Sequence, residues 1–472
     1  MKKVSVNFFY QSLFQITKII IPIISIPIVS SALGPAGVGK YNYTNSIVQY
    51  FILFGSMGIS IYGNREIAMV SKQKEKLTVT FSEIFFLKAI LTSLMLMIYY
   101  AFIFFRDDSI FLFVQSLSLI AVLFDVSWLF MGVEDFKRTS LVSLVIQILT
   151  LISIIYFVKS PSDTLGYIFI QAFGNLLSQS LVWFFVSKYA RLVKVNLKAC
   201  LSHVKGSFNY FIPQVAIVLY TNLNKTILGI FIGVASVGFY TSSLTLNNVF
   251  ITIITTIDIV LLPHMSGLFA KNNVQKIISL MEKTIHLQLF FSIPLMFGVL
   301  TVYDKLIPWF FSEKFLFINN VVPIFSILIV ITPLGMAISR QYLMPIGKTS
   351  DYNKSVILGA IINVCSNLLL IPLFGFYGVV ISNILAELFV TTIRTYYFLK
   401  ETSFKFKVSK IVNIFIASFI MMLITRFVTQ NLNASFLTNL IQMTVAIPIY
   451  ILLVSIFKSN IAFDLIKEKN KY

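Results

Sequence analysis

The sequence predicts an all-α, polytopic membrane protein of about fourteen transmembrane helices, arranged as two six-helix lobes followed by two further helices. Three observations carry this expectation. Of 472 residues, 57% are hydrophobic and only 12% charged, with a mean hydropathy of +0.88, which is more apolar surface than one water-soluble core can hide. Apolar runs close to the ~20 residues that a spanning helix needs recur along the whole chain. An internal repeat then divides these runs into equivalent sets.

Apolar runs between polar breaks place spans near 8–32, 42–66, 81–105, 109–131, 139–158, 164–187, 207–232, 237–264, 284–303, 321–346, 355–372, 378–399, 409–428 and 436–457. The first run follows Lys2 and Lys3 but exceeds signal-peptide length and lacks a small-residue cleavage site, so it is expected to remain as the first span. Most of the 37 Lys and Arg residues fall in alternate connections, among them 72–76, 188–205, 271–283, 340–354 and 400–410. Positive charge marks the cytoplasmic side, so both termini are expected in the cytoplasm. The same distribution explains the net charge of +19 without nucleic acid, because basic and aromatic residues do not alternate on a soluble surface. Cys200 and Cys365 fit neither a disulfide framework nor a metal site. No cofactor, metal or covalent chemistry is expected, and no Walker motif is present for ATP hydrolysis.

The segment GPAGVGKYNYTNSIVQYF, beginning at Gly34, aligns without gaps with GVASVGFYTSSLTLNNVF, beginning at Gly233; the offset is 233 − 34 = 199. Gly34/Gly233, Ala36/Ala235, Val38/Val237, Gly39/Gly238, Tyr41/Tyr240 and Phe51/Phe250 match. A duplicated six-helix unit follows, giving lobes at 1–200 and 201–402 and a C-terminal pair with its tail at 403–472. Because six is even, both copies insert with the same orientation, the geometry of a rocking carrier. The four glycines are expected to serve positive φ or close packing at the outer turns.

Ionisable side chains at membrane depth cost at least about 2.5–3.5 kcal/mol, so each one in a span needs a reason. Gln11, Gln15, Lys18 and Ser25 share one face of the first span, by helical spacing, and Pro22 and Pro27 interrupt it. The seventh span carries Gln214, Thr221, Asn222 and Lys225, with Pro213 as a bend point. Duplicated polar faces suggest that these helices line one wet space. The alternative is that Lys18 and Lys225 snorkel to opposite interfaces, as Lys88 is expected to do. Asn383, Glu387, Thr391 and Arg394 lie on one face of span 12, where Glu387 and Arg394 suit a shared network. Asp125 and Asp258 lie nearer cytoplasmic ends and have a bland reading as hydrated or loop-paired groups.

The segments ALGPAGVGKY, DVSWLFMGVEDFKR and NLNKTILGIFIGVASVGFY together resemble the Wzx-type oligosaccharide repeat-unit flippases. These belong to the superfamily that includes multidrug-and-toxin exporters and lipid II flippases. The resemblance implies a multi-pass protein of the bacterial cytoplasmic membrane that flips undecaprenyl-diphosphate-linked oligosaccharides for capsule, exopolysaccharide or related glycan assembly. Its partners would be that lipid-linked substrate, the bilayer and a glycan polymerase. On this reading Lys18 and Lys225 bind the diphosphate, aided by Gln11, Gln15, Gln214 and Asn222. Asp125, Asp258, Glu387 and Arg394 form a coupling or structural network, with H+ or Na+ as candidate coupling ion. A multidrug exporter is the nearest alternative, but embedded lysines favour an anionic cargo over organic cations. A membrane-embedded polymerase or ligase fits less well, because every outer connection is short.

Overall fold

The computed structural model describes the backbone of residues 2–106, 109–271, 273–457 and 459; the side chains of 2–16, 18, 19 and 263 lie outside the described residues. Among the described residues every regular element is helical. The α-helices are α1 (Lys2–Ser56), α2 (Ile59–Val70), α3 (Lys74–Phe104), α4 (Ser109–Phe124), α5 (Ser127–Gly132), α6 (Phe136–Phe157), α7 (Thr164–Leu181), α8 (Leu197–Phe231), α9 (Val234–Ala270), α10 (Val274–Phe310), α11 (Val322–Phe325), α12 (Leu328–Ile338), α13 (Thr349–Phe374), α14 (Phe376–Glu401), α15 (Val408–Thr429) and α16 (Phe436–Ile456).

Among the described residues twelve helical stretches are long and apolar enough to cross a membrane. One of these, Ile20–Val70, contains two spans, because Gly34 breaks α1 with φ 66° and ψ −177°. The helix α8 is not among the twelve; it is 35 residues long but carries Asn222, Asn224 and Lys225 in its second half. The all-α, multi-pass expectation therefore holds, at twelve to fourteen spans.

Several boundaries differ from the sequence reading, each for a local reason. The segment 42–66 is not one helix: Met57 and Gly58 take φ of 37° and 73°, and a Cβ on Gly58 would lie 2.5 Å from the Ser207 carbonyl oxygen. The segment 109–131 breaks at Asp125, between α4 and α5. The segment 321–346 is divided into α11, α12 and a π-helical turn at Ser339–Leu343. The helices α9 and α10 run 37 residues each, about 55 Å at the α-helical rise, well beyond the ~30 Å hydrocarbon thickness. Their basic residues Lys276 and Lys283 read as loop in the sequence although they sit on helix.

Two compact units are formed, Met1–Gly238 and Phe239–Tyr472. In the first, α8 packs on α1, α2 and α3, and α6 and α7 pack on each other and on α1. In the second, α13 packs on α14 and α10 on α15. The division at residues 200 and 402 concerns ancestry rather than packing, and we retain it as a proposal about how the chain arose.

The repeated glycines meet two different needs. Gly34 and Gly233 take positive φ, 66° and 117°. Gly39 and Gly238 instead allow close backbone approach: a Cβ on Gly39 would fall 1.7 Å from the Val234 carbonyl oxygen, and one on Gly238 would fall 2.0 Å from that of Pro35. Both repeats of the motif therefore meet at the helix start that follows each break.

Candidate functional site

The second half of α8 forms a polar face. Asn222 is 7% exposed, and its amide donates to the Val218 carbonyl at 3.2 Å and to Thr221 Oγ1 at 3.2 Å. Its oxygen accepts from Lys225 Nζ at 3.3 Å. Thr226 extends the face to α1, with Ser46 Oγ at 2.9 Å and the Tyr50 hydroxyl at 3.0 Å. Lys225 is half-buried and lies about 9 Å short of the helix end at Phe231, taking a rise of about 1.5 Å per residue. A snorkelling ammonium would reach for that end. Here it turns the other way, to Asn222 one turn deeper. Among the described residues no carboxylate pairs with it. Gln214 is half-buried in the same helix, one residue after Pro213. Gln11, Gln15 and Lys18 lie on α1, and their side chains fall outside the described residues.

Lys88 does not snorkel. It is 0% exposed, and its Nζ donates to the Asp125 backbone carbonyl at 2.6 Å and to Asp125 Oδ2 at 3.0 Å. Asp125 in turn accepts from the Ser127 amide at 3.0 Å through Oδ1. The break between α4 and α5 frees backbone polar groups at membrane depth, where each needs a partner. The ammonium and the carboxylate supply those partners. Asp125 is thus neither a hydrated helix end nor a loop-paired group, and its environment is a structural ion pair.

Asp258, on α9, is 0% exposed. Its Oδ1 accepts two short bonds, from Gln288 Nε2 at 2.6 Å and Gln341 Nε2 at 2.6 Å. Gln341 is held by Thr284, whose Oγ1 donates to Gln341 Oε1 at 2.6 Å. Asp258 Oδ2 and Gln288 Oε1 are buried without a partner among the described residues. The bland reading as a group at a hydrated helix end does not hold. In the first unit spans 3 and 4 present a carboxylate to an ammonium, whereas in the second unit spans 8, 9 and 10 present one to two neutral amides.

Arg394 is 5% exposed and donates to Ser355 Oγ at 2.9 Å and to the Gly335 carbonyl at 3.3 Å. It also stacks over the Tyr352 ring, 5.0 Å from its centroid. Glu387 is half-buried on the same helix, two turns earlier. Cys200 is buried and Cys365 exposed, both as free thiols; burial pushes the Cys200 thiol above its ordinary range.

Residues 4–269 match the family described as polysaccharide biosynthesis protein. The chain belongs to this family. It is also 25% identical over 407 residues, 82% of its length and 94% of the relative's, to a putative O-antigen transporter of Escherichia coli strain K12. It is 22% identical over 218 residues to a probable low-salt glycan biosynthesis flippase, Agl15, of Haloferax volcanii, covering 45% of this chain and 46% of that one. Its fold is similar to that of the lipid II flippase MurJ in an inward closed conformation, with a TM-score of 0.77 at 17% identity over 96% of this chain and 99% of that one. A multidrug resistance MATE family transporter in an inward-facing conformation follows at 0.64 and 14%, covering 84% and 100%.

One group of polar residues in the first unit is not among the residues singled out from the sequence. Ser143, Gln147 and Thr150 on α6, with Gln171, Asn175 and Gln179 on α7, line a cavity of about 460 Å³ against Pro22 and Ser25 of α1. The signal was in the spacing: four, then three residues along α6, and four, then four along α7, put each set on one helix face. Neutral amides inside apolar runs attract less notice than charges.

Proposed function

We propose that this protein flips prenyl-diphosphate-linked oligosaccharide repeat units from the cytoplasmic to the outer leaflet of a bacterial cytoplasmic membrane, by alternating access and without covalent chemistry. The glycan is one for the cell surface, such as capsule or exopolysaccharide, and both termini lie in the cytoplasm. The observation that carries the reading is Lys225: an ammonium at membrane depth, turned inward, with amide company and no described carboxylate. Such a charge is costly unless an anion uses it. A diphosphate is the anion that matches, since each lysine offers rotatable charge-assisted donors. Lys18, with Gln11, Gln15, Gln214 and Asn222, completes the proposed headgroup site. The names of the relatives support a glycan cargo, and the family supports a carrier over an enzyme.

Direction does not require ATP. Moving two negative charges outward across an inside-negative membrane releases roughly 4–5 kcal/mol per 100 mV. Coupling to H+ or Na+ is proposed at Asp258, where the two partnerless acceptor oxygens suit a small cation. Glu387 and Arg394 are assigned to support within α14, and a glycan polymerase is the proposed downstream partner.

Deleting the gene tests the reading. Undecaprenyl-diphosphate-linked oligosaccharide is expected to accumulate, surface glycan to disappear, and tolerance of organic cations to stay unchanged. Complementation by Asp258→Asn is expected to clear the intermediate in a manner no longer sensitive to the H+ or Na+ concentration gradient at constant membrane potential. Loss of drug tolerance with surface glycan intact would point to an exporter instead.

A further inference from the structure

The cavity between α1, α6 and α7 holds more unsatisfied hydrogen-bonding capacity than a packing defect would. Gln147, Asn175 and Gln179 make no hydrogen bond among the described residues, while Gln171 reaches only the Tyr167 hydroxyl at 3.3 Å. Gln147 and Asn175 each lie about 16 Å from the start of α6 and α7, near mid-membrane at the α-helical rise. Asn175 is exposed and Gln147 and Gln179 half-buried in this open hollow, so their amides are accessible to a polar occupant, whereas facing hydrocarbon each would cost several kcal/mol. Among the described residues the cavity's lining is neutral, made of carboxamides, hydroxyls and apolar side chains. Its volume of about 460 Å³ falls in the range of about 300–1,000 Å³ typical of small-ligand sites. A neighbouring hollow on the same two helices, lined by Phe157, Phe169, Phe173 and Leu177, is apolar and suits a lipid chain. Its polar lining is limited to the hydroxyls of Thr150 and Ser153, so the carboxamides are gathered on the α1 side.

We propose that this cavity is a subsite for neutral sugar residues of the cargo, recognised by carboxamides and hydroxyls. Carboxamides fit the task because each offers both donors and an acceptor, matching the alternating donor and acceptor character of vicinal hydroxyls. The inference rests on the flippase reading and adds a division of labour: the carboxamides of α6 and α7 read sugar while the lysines read charge.

The test uses full-length protein in nanodiscs and two probes. One is undecaprenyl diphosphate; the other is the undecaprenyl-diphosphate-linked oligosaccharide that accumulates in the host after deletion of the gene. Wild type is expected to prefer the glycosylated lipid. A triple Gln147→Leu, Asn175→Leu, Gln179→Leu variant suits the bilayer as well as the native helices and is expected to lose that preference at least tenfold, with affinity for the bare diphosphate unchanged. The conservative Asn175→Gln is expected to keep it. A triple variant that still prefers the glycosylated lipid as wild type does overturns the subsite and leaves the flippase intact. Wild type that binds neither lipid overturns both.

Discussion

Lys225→Gln is expected to cut surface-glycan export by roughly 10- to 150-fold, the factor for a charge-assisted hydrogen bond of about 1.5–3 kcal/mol. Combined with Lys18→Gln, export should fall to the level of the deletion strain. Glutamine keeps the length and polarity of the face while removing charge, so Asn222 retains a donor and folding should survive. Lys225→Arg should recover part of the activity, because the charge remains but a planar fork replaces a compact, rotatable ammonium. The measurement is surface glycan per cell, normalised to protein inserted in the membrane. Export at wild-type level by the double glutamine variant would remove both lysines from the mechanism.

The second large effect is on stability and lies in the first unit, away from the proposed cargo. Lys88→Met is expected to destabilise it by about 3–5 kcal/mol, because it strands the Asp125 carboxylate in a low-dielectric site and leaves the Asp125 carbonyl at the α4–α5 break without its donor. For a unit of this size that corresponds to a fall in unfolding temperature of roughly 10 °C. The double change Lys88→Met, Asp125→Asn should recover part of the loss, since the unpaired charge goes but the backbone carbonyl still lacks a partner. Thermal unfolding of purified protein in detergent reads both. A single variant within about 2 °C of wild type would mean that water reaches the break and supplies the missing bonds.

What the sequence made legible follows from what membrane insertion enforces. Hydropathy specifies helices because no other open backbone survives in hydrocarbon, so the spans, the repeat and the resemblance could all be read. Breaks inside spans could not. The α4–α5 break is stabilised by Lys88, 37 residues earlier in the chain, and the break before α2 by close approach to the Ser207 and Phe211 backbone; neither partner is visible from local pattern. The charged residues proposed for the site stood out because charge in an apolar run is conspicuous. Their roles were harder to read: Lys88 passed for a snorkelling side chain and Asp258 for a hydrated helix end, since pairing depends on rotation between helices. The α6–α7 amides were missed although their spacing was regular. Gly39 and Gly238 were correctly singled out, but only the backbone geometry separates their packing role from the positive φ of Gly34 and Gly233.

The central claim is that an inward-turned ammonium in the first unit receives a lipid-linked, phosphorylated glycan and lets it cross. Reconstitution addresses this most directly. Purified protein would be placed in vesicles loaded with undecaprenyl-diphosphate-linked oligosaccharide, with an inside-negative potential, and the fraction of glycan accessible to external lectin followed in time. The account predicts that accessibility rises with wild type and stays at the protein-free rate with the Lys18→Gln, Lys225→Gln variant. Equal rates for wild type and that variant, or no movement of the glycan by either, would contradict it.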